Sequence, residues 1–330
     1  MYTVIQFYFR LPIFLRLFLT VILSMIIFGM VIHFIEPSHF PTIFDGFWWA
    51  FVTGSTVGYG DYVPLSTLGR LLAILLILTG GGILTFYMAT ISAGTVNYER
   101  DLSSGKVAFT GENHLILVGW NERTRKLVEI IHEHNEKEKV VVIDSSMREL
   151  PFRKTPVHFI RGNVSDDDTL VKANIAKARA ALITADPSKR EEQADQAIII
   201  GILAMKGCNP NLEVFAEILT ERQIINAIRA GAGEVIRSNQ FMSSVFFHEM
   251  YRNNTVKPFD LLLKILTEKQ FHEQEPPEEV IDSSFLEGVR FYAEKKVVLL
   301  GLIKEGKIVI NVRPEEIITA NTRLITLLPK

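Results

Sequence analysis

Hydrophobic positions along the chain fall into two regimes. Residues 17–35 are almost wholly apolar, with His33 the one ionisable side chain, and residues 71–92 carry no charge. Runs of about 19 and 22 residues can cross a hydrocarbon layer of roughly 30 Å as helices. A cleaved leader is the competing reading of the first run, but Glu36-Pro37-Ser38-His39 offers no small-x-small cleavage site and a second span follows. Two spans return the chain to the side on which it entered. Between them, Pro41 precedes a short amphipathic pattern over residues 42–54, with Phe47, Trp48, Trp49 and Phe51 as an aromatic band. It is too short to span. A re-entrant helix buried in protein would satisfy its backbone, and interfacial anchoring of the two tryptophans is the alternative.

From Asn97 the chain turns polar, and residues 97–113 read as a linker. Short apolar runs at 114–118, 140–143, 157–160, 180–184, 214–216 and 235–236 then alternate with helical patterns near 121–134, 167–173, 190–205, 221–230 and 242–251. That alternation predicts a parallel, doubly wound sheet of the Rossmann type. A helix over 257–269 carries Leu261, Leu262, Leu263, Ile265 and Leu266, which with Phe246 and Phe247 form either a dimerisation surface or ordinary core. The acidic stretch 273–279 sets off a small terminal unit with a hairpin over 297–312 and a strand at 324–328.

Composition adds exclusions. A net charge of -2 over 330 residues argues against nucleic acid held by bulk electrostatics. Cys208 is the only cysteine, so no intrachain disulfide can form. Arg10 and Arg16 precede the first span with no acid beside them, whereas the loop between the spans has Glu36, Asp45 and Asp61 against Arg70. The positive-inside rule therefore puts both termini in the cytoplasm and the loop outside the cell membrane.

That loop contains Thr56-Val57-Gly58-Tyr59-Gly60-Asp61. Gly58 and Gly60 permit backbone conformations closed to other residues, so successive carbonyls can turn to one side. Four such strands would stack rings of hard oxygen ligands for a monovalent cation, and TVGYG is the known filter signature of potassium channels. The stretch closely resembles that family. The resemblance implies that the carbonyls of Thr56, Val57, Gly58 and Tyr59, with the Thr56 hydroxyl, coordinate K⁺ in a homotetramer. It implies that Asp61 braces the filter from behind, that Trp48 and Trp49 form its aromatic cuff, and that Gly80-Gly81-Gly82 hinge the inner helix. Close helix packing is the other reading of the three glycines. Thr85, Met88, Ala89 and Ser92 are candidates to line the mouth below them. Val52 stands where some members carry a glutamate, which removes a carboxyl pair from behind the filter.

In the soluble half, Gly119-Trp120-Asn121 follows the first strand, and Asp144 ends the second. A dinucleotide fingerprint wants three glycines, and only the first is present. The turn, with Arg161-Gly162-Asn163, resembles the RCK (regulator of K⁺ conductance) domain of TrkA-N/TrkA-C type. The implied fold is a membrane α pore domain joined to a cytosolic α/β RCK domain with a small α+β lobe. Gly119, Trp120, Asn121, Asp144, Arg161 and Asn163 become candidates for a regulatory nucleotide. Calcium-gated relatives place carboxylates after the fourth strand and on the fifth. Asp186 and Glu217 occupy those places, while Leu219 replaces a further acid, which weakens a cation site.

The expected division is a pore domain over 1–96, a linker over 97–112, an RCK N-lobe over 113–252, a connecting segment over 253–275 and a C-lobe over 276–330. RCK domains of related channels assemble as an octameric gating ring, four copies being made separately. No methionine occurs between Met88 and Met147, so a separate copy would need a GTG start, best placed at Val107. The expected function is a ligand-gated K⁺ channel and not an enzyme. The alternatives are a nonselective cation channel and a membrane-tethered dinucleotide oxidoreductase.

Overall fold

The computed structural model describes Tyr8 and residues 11–150, 157–251 and 256–329. Arg10, used above to orient the first span, and the 252/253 boundary lie outside the described residues. The chain divides into two compact units, Met1–Glu217 with Arg222–Val235, and Ile218–Glu221 with Ile236–Lys330.

The first unit begins with three helices, α1 (Ile13–Ile35), α2 (Ile43–Gly54) and α3 (Thr67–Ser103). α1 and α3 are apolar and long enough to cross a membrane. Thr42 caps α2 in a reciprocal capping box with Asp45, which stops the helix from fraying where the chain turns inward. Val21, Met25 and Ile32 of α1 pack with Phe40, with Trp49 and Ala50 of α2, and with Leu76 of α3. The α1–α2 crossing depends on two glycines that the sequence pattern did not single out. A Cβ on Gly46 would lie 2.2 Å from the carbonyl oxygen of Gly29, and one on Gly29 would lie 2.5 Å from the backbone nitrogen of Phe47.

α3 does not stop where the composition turns polar. Its 37 residues span about 55 Å, more than the hydrocarbon layer needs, and the last seven, from Asn97, belong to the stretch read as linker. Residues 104–113 then lie along the sheet: Arg161 N donates to Gly105 O at 2.9 Å and Phe109 N to Lys172 O at 2.8 Å. His158 Nε2 donates to Val107 O at 2.8 Å.

The sheet is parallel between β1 (His114–Val118), β2 (Val140–Asp144), β3 (Val157–Arg161), β4 (Ala178–Ile183) and β5 (Glu213–Glu217). With β6 (Glu234–Ile236) its order is β3-β2-β1-β4-β5-β6. Helices α4 (Glu122–His134), α5 (Asp167–Lys172), α6 (Glu191–Cys208) and α7 (Glu221–Arg229) connect the strands. Every residue of β2 is buried, as a strand covered on both faces requires. The order reverses between β1 and β4, leaving a crevice at their C-terminal ends.

The second unit holds α8 (Ser238–Met250), α9 (Pro258–Glu268), α10 (Phe285–Glu294) and an antiparallel sheet. The sheet runs β7 (Lys269–Gln274), β10 (Arg323–Pro329), β8 (Val298–Lys304), β9 (Lys307–Val309). Val280, Tyr292, Leu299, Leu302, Ile318 and Leu324 form its core. The sequence pattern missed β7 and α10. β7 follows α9 without a break and takes Glu273 from the acidic stretch, because pairing with β10 supplies a ladder that its polar sequence does not announce. α8 and α9 leave Phe241, Phe246, Phe247, Leu261, Leu263 and Leu266 exposed in the single chain.

Candidate functional site

The loop that carries residues 56–61 starts at the C-terminal end of α2. Val57 N and Gly58 N both donate to Val52 O, at 3.1 and 3.2 Å, and Thr56 N donates to Thr53 O at 3.0 Å. The amides of Thr56, Val57 and Gly58 are thus tied back to the helix end. Positive φ recurs at Thr56 (63°), Gly58 (59°) and Gly60 (76°). Alternation of left-handed and ordinary conformations collects N–H groups on one side of a strand and carbonyls on the other. Glycine supplies two of the three positions at no steric cost. Thr56 supplies the third as a β-branched residue, a strained choice that sequence reasoning did not anticipate.

Asp61 Oδ2 accepts from Trp48 Nε1 at 2.7 Å, and the Trp48 and Tyr59 rings stack with centroids 6.0 Å apart and planes 8° apart. Trp49, the second expected cuff residue, is instead buried against Phe40, edge to face at 5.5 Å. The return to α3 is fixed by Glu36, absent from the predicted site. Its buried carboxylate accepts from Leu65 N at 3.0 Å, Ser66 N at 2.8 Å and Ser66 Oγ at 2.5 Å. A partner 30 residues away leaves no local sequence signal.

Of the three glycines in α3, Gly80 is buried, and a Cβ there would meet Leu76 Cδ1 at 2.9 Å and Met25 Cε at 3.2 Å. Gly82 has nothing within 4 Å. The helix continues through all three.

The crevice at the switch point is a cavity of about 380 Å³. Gly119, Trp120, Asn121, Asp144 and Asn163 line it, with Ser146, Ser188 and Lys189, which the sequence reading did not name. Arg161 is not in the lining. Gly119 has φ 89°, and a Cβ there would lie 3.0 Å from Thr184 Oγ1. The polar groups are largely engaged. Asp144 Oδ2 accepts from Trp120 N at 2.7 Å, and its Oδ1 accepts from Ser146 N, Ser146 Oγ and Met147 N at 2.7, 2.7 and 2.9 Å. Asn121 accepts from Arg123 N and Thr124 N, capping α4, and donates to Thr184 Oγ1 at 3.0 Å. Any phosphate at this helix end must therefore displace or bypass the Asn121 cap.

The two candidate cation ligands are committed elsewhere. Buried Glu217 accepts from Ala185 N at 2.9 Å and pairs with Arg123 Nη1 at 3.1 Å, while Arg123 Nη2 donates to Ala185 O at 2.9 Å. Asp186 accepts from Ser188 N at 2.9 Å and Oγ at 2.7 Å and pairs with Lys189 at 3.5 Å. Burial pushes the Asp186 carboxyl up, yet these donors outweigh it and hold the group below its ordinary value. Among the described residues no three His, Cys, Asp or Glu side chains gather as a metal site. The Arg123 guanidinium sits where a cation would neutralise Glu217. Arg123→Ala strands that buried carboxylate and should cost about 1–3 kcal/mol, less than a fully buried pair because Arg123 is half exposed. Thermal unfolding of the detergent-solubilised protein measures it.

Residues 20–96 match the family described as Ion channel, and residues 115–238 match the TrkA-N domain. The chain is 37% identical to the candidate potassium channel protein YugO of Bacillus subtilis (strain 168) over 90% of both chains. The chain belongs to the potassium channels. This channel is also 30% identical to the calcium-gated potassium channel TvoK of Thermoplasma volcanium, over 72% of its own length and 67% of TvoK. Its fold is that of the GsuK channel, TM-score 0.55 at 14% identity, matching 96% of this chain and 57% of that one. GsuK has also been solved bound to NAD, TM-score 0.55, and to ADP, TM-score 0.52. This chain covers 90% of YugO and 67% of TvoK, both potassium channels, so it is a membrane protein that passes K⁺ and is not an enzyme; the oxidoreductase alternative falls.

Proposed function

We propose that four chains surround an axis and pass K⁺ through residues 56–61, with the carbonyls of Thr56, Val57, Gly58 and Tyr59 and the Thr56 hydroxyl as ligands. The observation that carries this reading is the positive φ at Thr56, Gly58 and Gly60, with the amides of Val57 and Gly58 tied to Val52 O. Trp48, through Asp61, supports the filter; Trp49 supports it from the packed core. Bending near Gly80, Gly81 and Gly82 opens the inner mouth, with Gly82 the freest of the three. The filter faces outward across the cell membrane and both termini lie in the cytoplasm, in keeping with the charge asymmetry at Arg16 and the acidic loop. The domain division is the one the sequence suggests, with α3 carrying the pore domain continuously into the linker.

The gate is set by the soluble domains. Their exposed α8 and α9 apolar side chains favour pairing of RCK domains, eight of them in a ring. Separately made copies would begin at Val107, just before Phe109 joins Lys172. N-terminal sequencing of a short co-purifying band tests this, and a preparation free of any short product contradicts it. The regulatory ligand is an adenine nucleotide in the crevice at Gly119, Trp120, Asn121, Asp144 and Asn163, a reading that the NAD- and ADP-bound states of GsuK favour. Arg161 contributes from outside the lining. Asp186 and Glu217 serve as structural carboxylates, with Arg123 in place of a metal ion.

A ligand shifts the gate only by its differential affinity for open and closed rings. The test is K⁺ flux from vesicles containing the full-length channel, with NAD, NADH, ADP, ATP and Ca²⁺ added in turn. The expected result is a response to an adenine nucleotide and none to Ca²⁺. A response to Ca²⁺ alone would reverse the assignment.

A further inference from the structure

We propose that Asp45 and Tyr62 form a second clamp on the pore loop, which keeps Asp61 within reach of Trp48 and sets how long the filter holds its conducting geometry. The proposal rests on reading residues 56–61 as the filter. The Tyr62 hydroxyl donates to Asp45 Oδ1 at 2.9 Å. Asp45 is itself immobilised, because its Oδ2 accepts from Thr42 N at 3.0 Å and Thr42 Oγ1 at 2.7 Å. The Tyr62 ring stacks on Phe40 with centroids 5.7 Å apart, and Phe40, wholly buried, meets Trp49. Tyr62 is thus fixed to the first turn of α2 through its hydroxyl and to the pore core through its ring.

Its backbone then acts on the filter. Tyr62 N donates to Asp61 Oδ1 at 3.0 Å, on the opposite oxygen from Trp48 Nε1. Asp61 is held from two sides. This matters because, beyond the Val52 O bonds and the Trp48 ring stacked on Tyr59, the glycines of the strand are unsupported within the chain: a Cβ at Gly58 or at Gly60 would have nothing within 4 Å. The strand is therefore positioned from its ends, by Val52 O at the start and by Asp61 and Tyr62 at the finish. Gly60, at φ 76°, adjoins Asp61 directly, so a shift of the aspartate turns the last carbonyls of the strand. Both partners of the clamp are pre-ordered, so the hydrogen bond costs little entropy to form.

A permeant ion bound by the filter stabilises the geometry that binds it through mass action. Loss of the clamp should therefore appear as a conducting state that fails sooner when external K⁺ is low and recovers when K⁺ is raised. Tyr62 and Asp45 are positioning residues in this scheme, touching no ion.

The test uses the full-length channel in planar bilayers, comparing wild type, Y62F, D45A and the double variant. Y62F removes only the hydroxyl and keeps the ring on Phe40 and the Thr42 cap, so it remains informative if D45A fails to assemble. The expected result for Y62F is current lost about tenfold faster after external K⁺ is lowered, the scale of a hydrogen bond to a charged group. Raising K⁺ should restore the wild-type rate, the response to added NAD or ADP should not move, and the double variant should be no worse than D45A. A Y62F channel that keeps the wild-type rate overturns the clamp alone, as does a double variant whose effect is the sum of the two. A wild-type channel that passes Na⁺ as readily as K⁺ removes the filter reading and the clamp with it.

Discussion

Replacing Gly58 by alanine is expected to abolish K⁺ flux while leaving assembly intact. Gly58 sits at φ 59°, and a Cβ there would touch nothing within 4 Å, so the penalty comes from the backbone and not from a clash. A left-handed L-residue costs roughly 1–2 kcal/mol, and four copies around an axis would together cost about 4–8 kcal/mol. The strand relieves that cost by leaving the left-handed region, which turns a carbonyl away from the axis. The hydrogen bonds of Val57 N and Gly58 N to Val52 O would be disturbed with it. Flux from reconstituted vesicles reads the loss, and size-exclusion chromatography of the same preparation reads the assembly. Full K⁺ flux through the alanine variant would show that the oxygens lie elsewhere.

The second large effect is expected at Gly46, through folding. An added Cβ would lie 2.2 Å from the carbonyl oxygen of Gly29, a backbone atom that no rotamer change can move. Alanine there must push α1 and α2 apart around Val21, Met25, Ile32 and Trp49. Overpacking of this kind costs about 1–3 kcal/mol per site, repeated in every subunit. Assembled channel recovered from membranes should fall several-fold for G46A. Gly82→Ala is the matched control, since nothing lies within 4 Å of its Cβ and alanine favours a helix by about 1 kcal/mol. Equal recovery of the two variants would mean that the α1–α2 crossing is looser than these contacts imply.

These two glycines mark the boundary of what the sequence discloses. Gly58 belongs to a contiguous motif whose chemistry lies in adjacent residues, so the resemblance to potassium channels, the two spans and the parallel sheet could be read directly. Gly46 meets Gly29 across a helix crossing, Glu36 reaches Leu65 and Ser66, and Arg123 reaches Glu217; each is a long-range contact with no local pattern. Composition misled differently along α3. The composition turns polar at Asn97, yet the helix continues to Ser103. β7 was hidden because its strand character depends on β10 as a neighbour. Asp144 was legible as an acid at a strand end, yet the four donors that occupy it come from the Gly119 turn and its own following loop. Residue type could suggest a ligand there, but only geometry shows that the ligand must compete for it.

The most direct test of K⁺ selection at residues 56–61 is the reversal potential of the full-length channel in a planar bilayer with K⁺ on one side and Na⁺ on the other. The expected result is a reversal far from zero, on the side set by the K⁺ gradient. A reversal near zero would contradict the assignment and leave a nonselective cation pore.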